Sequence, residues 1–346
     1  MKIFVTGATG YIGSQLVKQL AEQGQEINIL VRDPLSLHLP TGRNIRVFEG
    51  DITEPVTIAK AIENCEQVYH CAALAKFSGT THNAFREVNV NGTKNVLVAA
   101  LDAGVQKIVF TSSAAVWGPT LRIPFTESSE RIEPFESDYD LSKHLAEDLV
   151  REFARKGLSA VIVNPSRVYG PGPATYSNAV NRMIQYVLNK RIVLFPGIDQ
   201  YISNYTYIGD VVNGHLLAME KGKTGESYIL GGENISYGHL LELTRNYRSQ
   251  KNLILKLPVP FLKIIASLSY RVNRETELTP SLITRFAKHR LLSSEKAITQ
   301  LGYRITPFEE GLEKTIHALK SKYHQPQNIP TKFYQYGKDQ VSAGTP

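Results

Sequence analysis

Apolar residues follow two rhythms along the first half of the chain. Short, nearly unbroken apolar runs, "KIFVT" (2–6), "INILV" (27–31), "IRVF" (45–48), "QVYHC" (67–71), "KIVFTS" (107–112) and "AVIVN" (160–164), alternate with stretches whose apolar positions recur at helical spacing, the first over about 11–23. Strands apolar on both faces need cover on both faces. The pattern therefore predicts a doubly wound α/β domain over 1–169, its parallel sheet sandwiched between helices. Beyond the loop "GPGPAT" (170–175) the segments read as mostly helical, with one strand-like return at "ESYIL" (226–230). This gives a segment returning to the first domain at about 207–230 and a smaller, mostly helical substrate lobe from 170–206 and 231–320. A polar tail with Pro and Gly, 321–346, is expected to be extended or partly disordered.

Composition narrows the class. With 346 residues and 42% hydrophobic content the chain can bury a sizeable core. The net charge of +7 is spread among acids without a basic block, which argues against nucleic acid and fits a small anionic ligand. Cys65 and Cys71 are the two cysteines, too few for a disulfide framework or a four-ligand metal site, so no metal is expected. The start, "MKIFVTGATGYIG", is too glycine-rich for a signal peptide. No apolar run reaches the roughly 18 residues of a membrane span, so the expectation is a cytoplasmic protein.

Two local patterns carry chemistry. "VTGATGYIGSQLVKQL" sets Gly7, Gly10 and Gly13 between the first strand and the first helix, where glycine lets backbone N–H groups approach a pyrophosphate. "YDLSK" sets Tyr139 and Lys143 one helical turn apart. An ammonium beside a phenol favours the phenolate, so the pair suits general acid–base work. Either pattern alone is weak. Ser113, just past the "KIVFTS" strand, adds a third polar group.

The glycine spacing, the Tyr/Lys pair, and the runs "GDI" (50–52), "VYHCAALA" (68–75), "NVNGT" (89–93), "FTSSAAVWG" (110–118), "NPSRVYGPG" (164–172) and "YTYIGDVVNGHLLA" (205–218) occur in order over about 1–320. Together they resemble the extended short-chain dehydrogenase/reductase superfamily, also called the NAD-dependent epimerase/dehydratase family. The look is closest to dihydroflavonol reductase-like and hydroxysteroid dehydrogenase-like members. The resemblance implies a Rossmann sheet with Gly7, Thr9, Gly10, Tyr11 and Ile12 at the cofactor pyrophosphate. It further implies Asp51 and Ile52 at the adenine; Ala72, Ala73 and Leu74 at ribose and phosphates; and Pro165, Ser166 and Val168 at the nicotinamide. Ser113 would hold the substrate oxygen, with Ser112 as its competitor, Tyr139 would exchange the proton, and Lys143 would also hold ribose hydroxyls. Asn89 would brace the site or hold a relay water. A homodimer through a four-helix bundle follows by the same analogy.

Cofactor choice turns on the end of the second strand, which reads Val31-Arg32-Asp33. Arg32 suits a 2′-phosphate, so NADP(H) is expected, with NAD(H) as the alternative. Asn164 and Asn204 stand where sugar-nucleotide members carry arginine, although Arg182 or Arg285 could meet a diphosphate instead. The expected function is therefore hydride transfer between nicotinamide and a ketone, aldehyde or secondary alcohol. A nucleotide-sugar epimerase or dehydratase using bound NAD is the second reading and a non-catalytic dinucleotide sensor the third. The apolar "LILKLPVPFLKIIASLSYRV" (253–272) fits a lobe helix, a substrate cap, a dimer contact or a membrane-surface element. Tyr176, Met183 and Tyr205 are further pocket candidates.

Overall fold

The structure is a computed structural model and describes residues 1–75, 80–175, 178–272 and 280–323. Twelve strands occur among the described residues. They are β1 (Lys2–Thr6), β2 (Glu26–Val31), β3 (Ile45–Glu49), β4 (Gln67–His70), β5 (Lys107–Thr111), β6 (Ala160–Pro165), β7 (Arg167–Tyr169), β8 (Ile192–Pro196), β9 (Ile202–Tyr207), β10 (Ser227–Leu230), β11 (Glu233–Ser236) and β12 (Leu253–Leu257). Seven form one sheet in the order β10-β6-β5-β4-β1-β2-β3, every neighbouring pair parallel. This is the doubly wound Rossmann layout anticipated from the apolar runs.

Strand parity explains why those runs had to be apolar throughout. Ile3, Val5, Val109, Val161 and Val163 point to one side, where they pack with the helices Tyr11–Glu22 and Ile208–Lys221. Phe4, Val68, Ile108, Phe110 and Ile162 point to the other, against the helices Pro55–Ile62, Gly92–Asp102 and Asp138–Arg155. Successive residues thus enter different cores, and both cores exclude water. Because the strands are parallel, their carboxyl ends share one rim, and the loops after β1, β4, β5 and β6 meet there.

The lobe is mostly helical but not wholly so. Besides the helices Ala179–Asn189, Tyr237–Asn246, Val259–Val272 and Pro280–Phe286 it contains a three-stranded sheet, β11-β9-β7, and a parallel ribbon, β8-β12. β9 hides its strand character by burying polar side chains: Ser203, Asn204 and Thr206 are almost fully buried in the run "ISNYTY", so no alternation survives. The helix Glu295–Leu301 also differs from the expected division. Ala297, Leu301 and Tyr303 join the same core as Ile3 and Val5, at its far edge, where the helix covers β10 and the helix Ile208–Lys221. The last helix, Phe308–Tyr323, takes in the first three residues of the expected tail, whose remainder, 324–346, lies outside the described residues.

Candidate active site

At the first turn the glycines are sterically required. Gly7 has φ +73°, a conformation costly for residues with a Cβ, and a Cβ there would sit 2.6 Å from the Ala72 nitrogen. At Gly13 a Cβ would lie 2.2 Å from the Gly7 carbonyl oxygen. The two glycines let the Tyr11–Glu22 helix press on the turn while the turn presses on the loop after β4. Thr9, Gly10 and Ile12 are half-buried there, and no side chain caps the helix, so its first N–H groups are free for an anion. Tyr11 is buried, and its hydroxyl donates to the Gly170 carbonyl over 2.7 Å. It ties the glycine turn to the loop after β7.

Farther along the rim, Arg32 follows the last residue of β2 and Asp51 follows β3. The Arg32 side chain is 79% exposed, with Nε 4.0 Å from Asp51 Oδ2. Asp51 Oδ1 accepts from Thr53 N and Thr53 Oγ1, each at 2.9 Å. Ile52 is buried against Gly92, where a Cβ would come within 2.7 Å of its Cδ1. This cation and carboxylate stand at one corner of the glycine cradle.

The loop after β4 is fixed by Asn89, a buried residue in a short π-helical turn, Arg86–Asn91. Its Oδ1 accepts from Leu74 N at 2.7 Å, and its Nδ2 donates to Leu74 O and to Ser142 Oγ, at 3.1 and 2.9 Å. Ser142 in turn donates to the Tyr139 carbonyl over 2.8 Å. Asn89 therefore couples Ala72, Ala73 and Leu74 to the helix that carries Tyr139, a positioning role.

That helix, Asp138–Arg155, starts where Ser137 accepts from Asp140 N at 3.2 Å, which places Tyr139 in the first turn and Lys143 one turn on. Tyr139 is half-buried and shares a hydrogen bond with the Ser113 side chain. Burial pushes its phenol up to about 12, the Ser113 bond and Arg285 opposing and Asp140 assisting. Lys143 is fully buried: Nζ donates to Thr111 O over 2.7 Å and lies 4.2 Å from the Phe110 ring centre. Burial pulls its ammonium down to about 8, with Glu147 opposing. Ser112 points elsewhere, donating to Glu147 Oε1 over 2.5 Å. The rim therefore brings together Ser113, Tyr139 and Lys143.

Two buried acceptors at the end of β6 lack a partner among the described residues, Asn164 Oδ1 and Ser166 Oγ. They flank Pro165, itself buried, and precede the half-buried Val168. Orphaned polar atoms this close to the helix that carries Tyr139, together with the cradle that a Cβ at Gly7 would fill, suit a polar cofactor ring and its pyrophosphate.

A family model, described as the NAD dependent epimerase/dehydratase family, matches residues 3–231. The chain belongs to that family. It is 30% identical over 302 residues to sterol demethylase protein B of Methylococcus capsulatus, covering 86% of this chain and 89% of the relative. It is 27% identical over 327 residues to a 3-beta-hydroxysteroid dehydrogenase of Mycolicibacterium neoaurum, covering 87% and 86%. In fold it matches the UDP-glucose 4-epimerase of Thermotoga maritima, with a TM-score of 0.76 and 24% identity over 93% of this chain and all of the other. An NAD(P)-dependent enzyme of the oxidoreductase type follows from this membership.

Sequence reading overlooked the support behind the site. Glu147, buried on the Tyr139 helix, accepts from Ser112 and from Asn164 Nδ2 at 2.6 Å, and pairs with Arg151 at 2.9 Å. The signal was available: Lys143, Glu147 and Arg151 repeat every four residues on the face that carries Ala146 and Val150 inward. Arg285 grips Asp140 in a fork, at 2.6 and 3.0 Å, so its charge is already matched next to Tyr139. Met183 and Tyr205 pack in the lobe core, and Tyr176 lies outside the described residues. Among the described residues no cluster of His, Cys, Asp and Glu suits a metal.

Proposed function

We propose that the protein is an NADP(H)-dependent oxidoreductase acting on a ketone or aldehyde, or on the corresponding alcohol. The observation that carries this reading is the Tyr139–Ser113 hydrogen bond at the open rim of the sheet, with Lys143 one turn behind it. When bound, the nicotinamide supplies or accepts the hydride. Ser113 orients the substrate oxygen, and Tyr139, whose raised pKa keeps it protonated at neutral pH, gives that oxygen its proton. Lys143 lies beneath as the partner for ribose hydroxyls. The glycine turn holds the pyrophosphate, and Pro165, Ser166 and Val168 form the wall beside the nicotinamide. Arg32, exposed at the ribose corner, supports NADP(H) over NAD(H), because a guanidinium meets a 2′-phosphate that a carboxylate would repel.

The nucleotide-sugar reading finds less support in the lobe. Asn204, at the position of the diphosphate-binding arginine of such enzymes, is used up internally: Nδ2 donates to Gly232 O and Asn234 Oδ1, and Oδ1 accepts from Gly232 N. Asn164 donates to Glu147. Neither offers a cation.

The deciding experiment follows absorbance of the reduced cofactor with NADPH and NADH against a panel of ketones and aldehydes, with UDP- and dTDP-sugars in parallel. Stoichiometric NADPH consumption is expected with a carbonyl. Conversion of a sugar nucleotide with no net cofactor oxidation would overturn the proposal.

A further inference from the structure

The lobe carries an apolar surface that the active site does not use. In the ribbon β8-β12, Ile192 pairs with Leu253 and Leu194 with Leu255, and these four side chains are 41–57% exposed on one face. On the opposite face, Val193 and Phe195 are buried in the lobe core. A ribbon covered on one side normally turns polar residues to water. This one does not.

The exposed face continues onto the next helix. Leu257, of the same parity as Leu253 and Leu255, packs against Leu262, Ala266 and Ile283, so the Val259–Val272 helix abuts the end of that face. The helix buries Leu262 and Ala266 and leaves Phe261, Ile264, Ile265 and Leu268 37–59% exposed. Their i, i+3, i+4, i+7 spacing makes a second apolar stripe, pointing away from the protein. Contiguous apolar surface of this kind marks a docking site.

Charge identifies the partner. Over 248–272 the chain has Arg248, Lys251, Lys256, Lys263 and Arg271 and no Asp or Glu, and Lys190 and Arg191 enter β8 with no acid in 186–196. Lys190, Arg191, Lys251 and Arg271 are exposed, whereas Lys256 has the parity of the opposite face and is matched by Asp199 at 2.9 Å. Apolar side chains flanked along the chain by cations match the acyl boundary and the headgroups of an anionic bilayer, whereas a second copy would bring cations against cations. No helix among the described residues is long and apolar enough to cross a membrane, so the surface would lie on the bilayer. We infer that the outer face of the β8-β12 ribbon and the Val259–Val272 helix dock the protein on anionic membranes.

The test is co-sedimentation of the full chain with vesicles of phosphatidylcholine alone or mixed equally with phosphatidylglycerol. Binding to the mixed vesicles should exceed binding to the neutral ones by about tenfold and weaken with salt. The exposed double variant I264D/L268D should keep the wild-type melting temperature and lose vesicle binding. Absence of wild-type binding to mixed vesicles overturns the inference, as does equal binding to both compositions. So does a wild-type dimer that the double variant splits while vesicle binding is unchanged, since that assigns the face to a second copy.

Discussion

Lys143 Nζ donates to the carbonyl of Thr111 over 2.7 Å, which seats the cation against the end of β5, two residues before Ser113. Its pKa of about 8, pulled down mainly by burial, makes the charge conditional: ammonium below that pH, free amine above it. If the ammonium holds the cofactor ribose, affinity for NADPH should fall several-fold as pH rises through 8. Fluorescence titration between about pH 7 and 9 reads this. A flat profile would remove the charged form of Lys143 from cofactor binding.

Tyr139→Phe removes the hydroxyl that meets Ser113 and leaves the ring in place against Phe85, whose centroid is 6.3 Å away. Turnover should drop by roughly 10²-fold or more, the usual scale for losing a general acid, while NADPH affinity changes little. Near-normal turnover would reassign the proton.

Gly7→Ala meets two penalties at once, the left-handed backbone and the Ala72 nitrogen 2.6 Å from the new Cβ. The handedness alone costs about 1–2 kcal/mol. The melting temperature should fall, and NADPH binding, followed by calorimetry, should weaken more than tenfold. An unperturbed variant would show that the turn can open without loss.

Arg32→Ala should shift the preference between cofactors. The ratio of kcat/KM with NADPH to that with NADH is expected to fall about tenfold, because a charge-assisted pair to phosphate disappears while Asp51 is released from its cation. An unchanged ratio would make Arg32 a solvated surface residue.

Acid should destabilise the fold through two histidines outside the chemistry. His70 lies between Thr6 Oγ1 and Thr93 Oγ1 at 2.6 and 3.0 Å, and His215 beside Thr111 Oγ1 at 2.8 Å. Burial pulls their pKa values down to about 3 and about 4. The unfolded chain takes up protons below about pH 6.5 that the folded chain refuses, so stability is lost as pH falls from there toward 4. Each unit costs up to about 1.4 kcal/mol per histidine. Urea unfolding at about pH 7 and 5 should show it, with a shallower slope in His70→Gln; equal stabilities would sink the account.

The larger domain was legible because its constraints are local and repeated. Each strand of its centre is buried on both faces, so apolarity itself marked it, and Gly7, Gly10 and Gly13 could be read because a turn excludes Cβ atoms. The strands of the lobe were not legible, because β9 satisfies Ser203, Asn204 and Thr206 through tertiary partners that no window of sequence contains. The site divides the same way. Tyr139 and Lys143 are neighbours on one helix, whereas Asn89–Ser142 and Glu147–Asn164 join residues 53 and 17 positions apart. Ser112 and Ser113 are adjacent in sequence, yet one faces Glu147 and the other Tyr139.

The helix Glu295–Leu301, with Tyr303 after it, closes a core that begins at Ile3. During synthesis that core therefore waits for nearly the whole chain to leave the ribosome before its edge at β10 is covered. A fragment ending with β10 would carry the glycine turn and the Tyr139 helix but expose the surface that Ala297, Leu301 and Tyr303 cover. The larger domain is the first to be made and among the last to be finished.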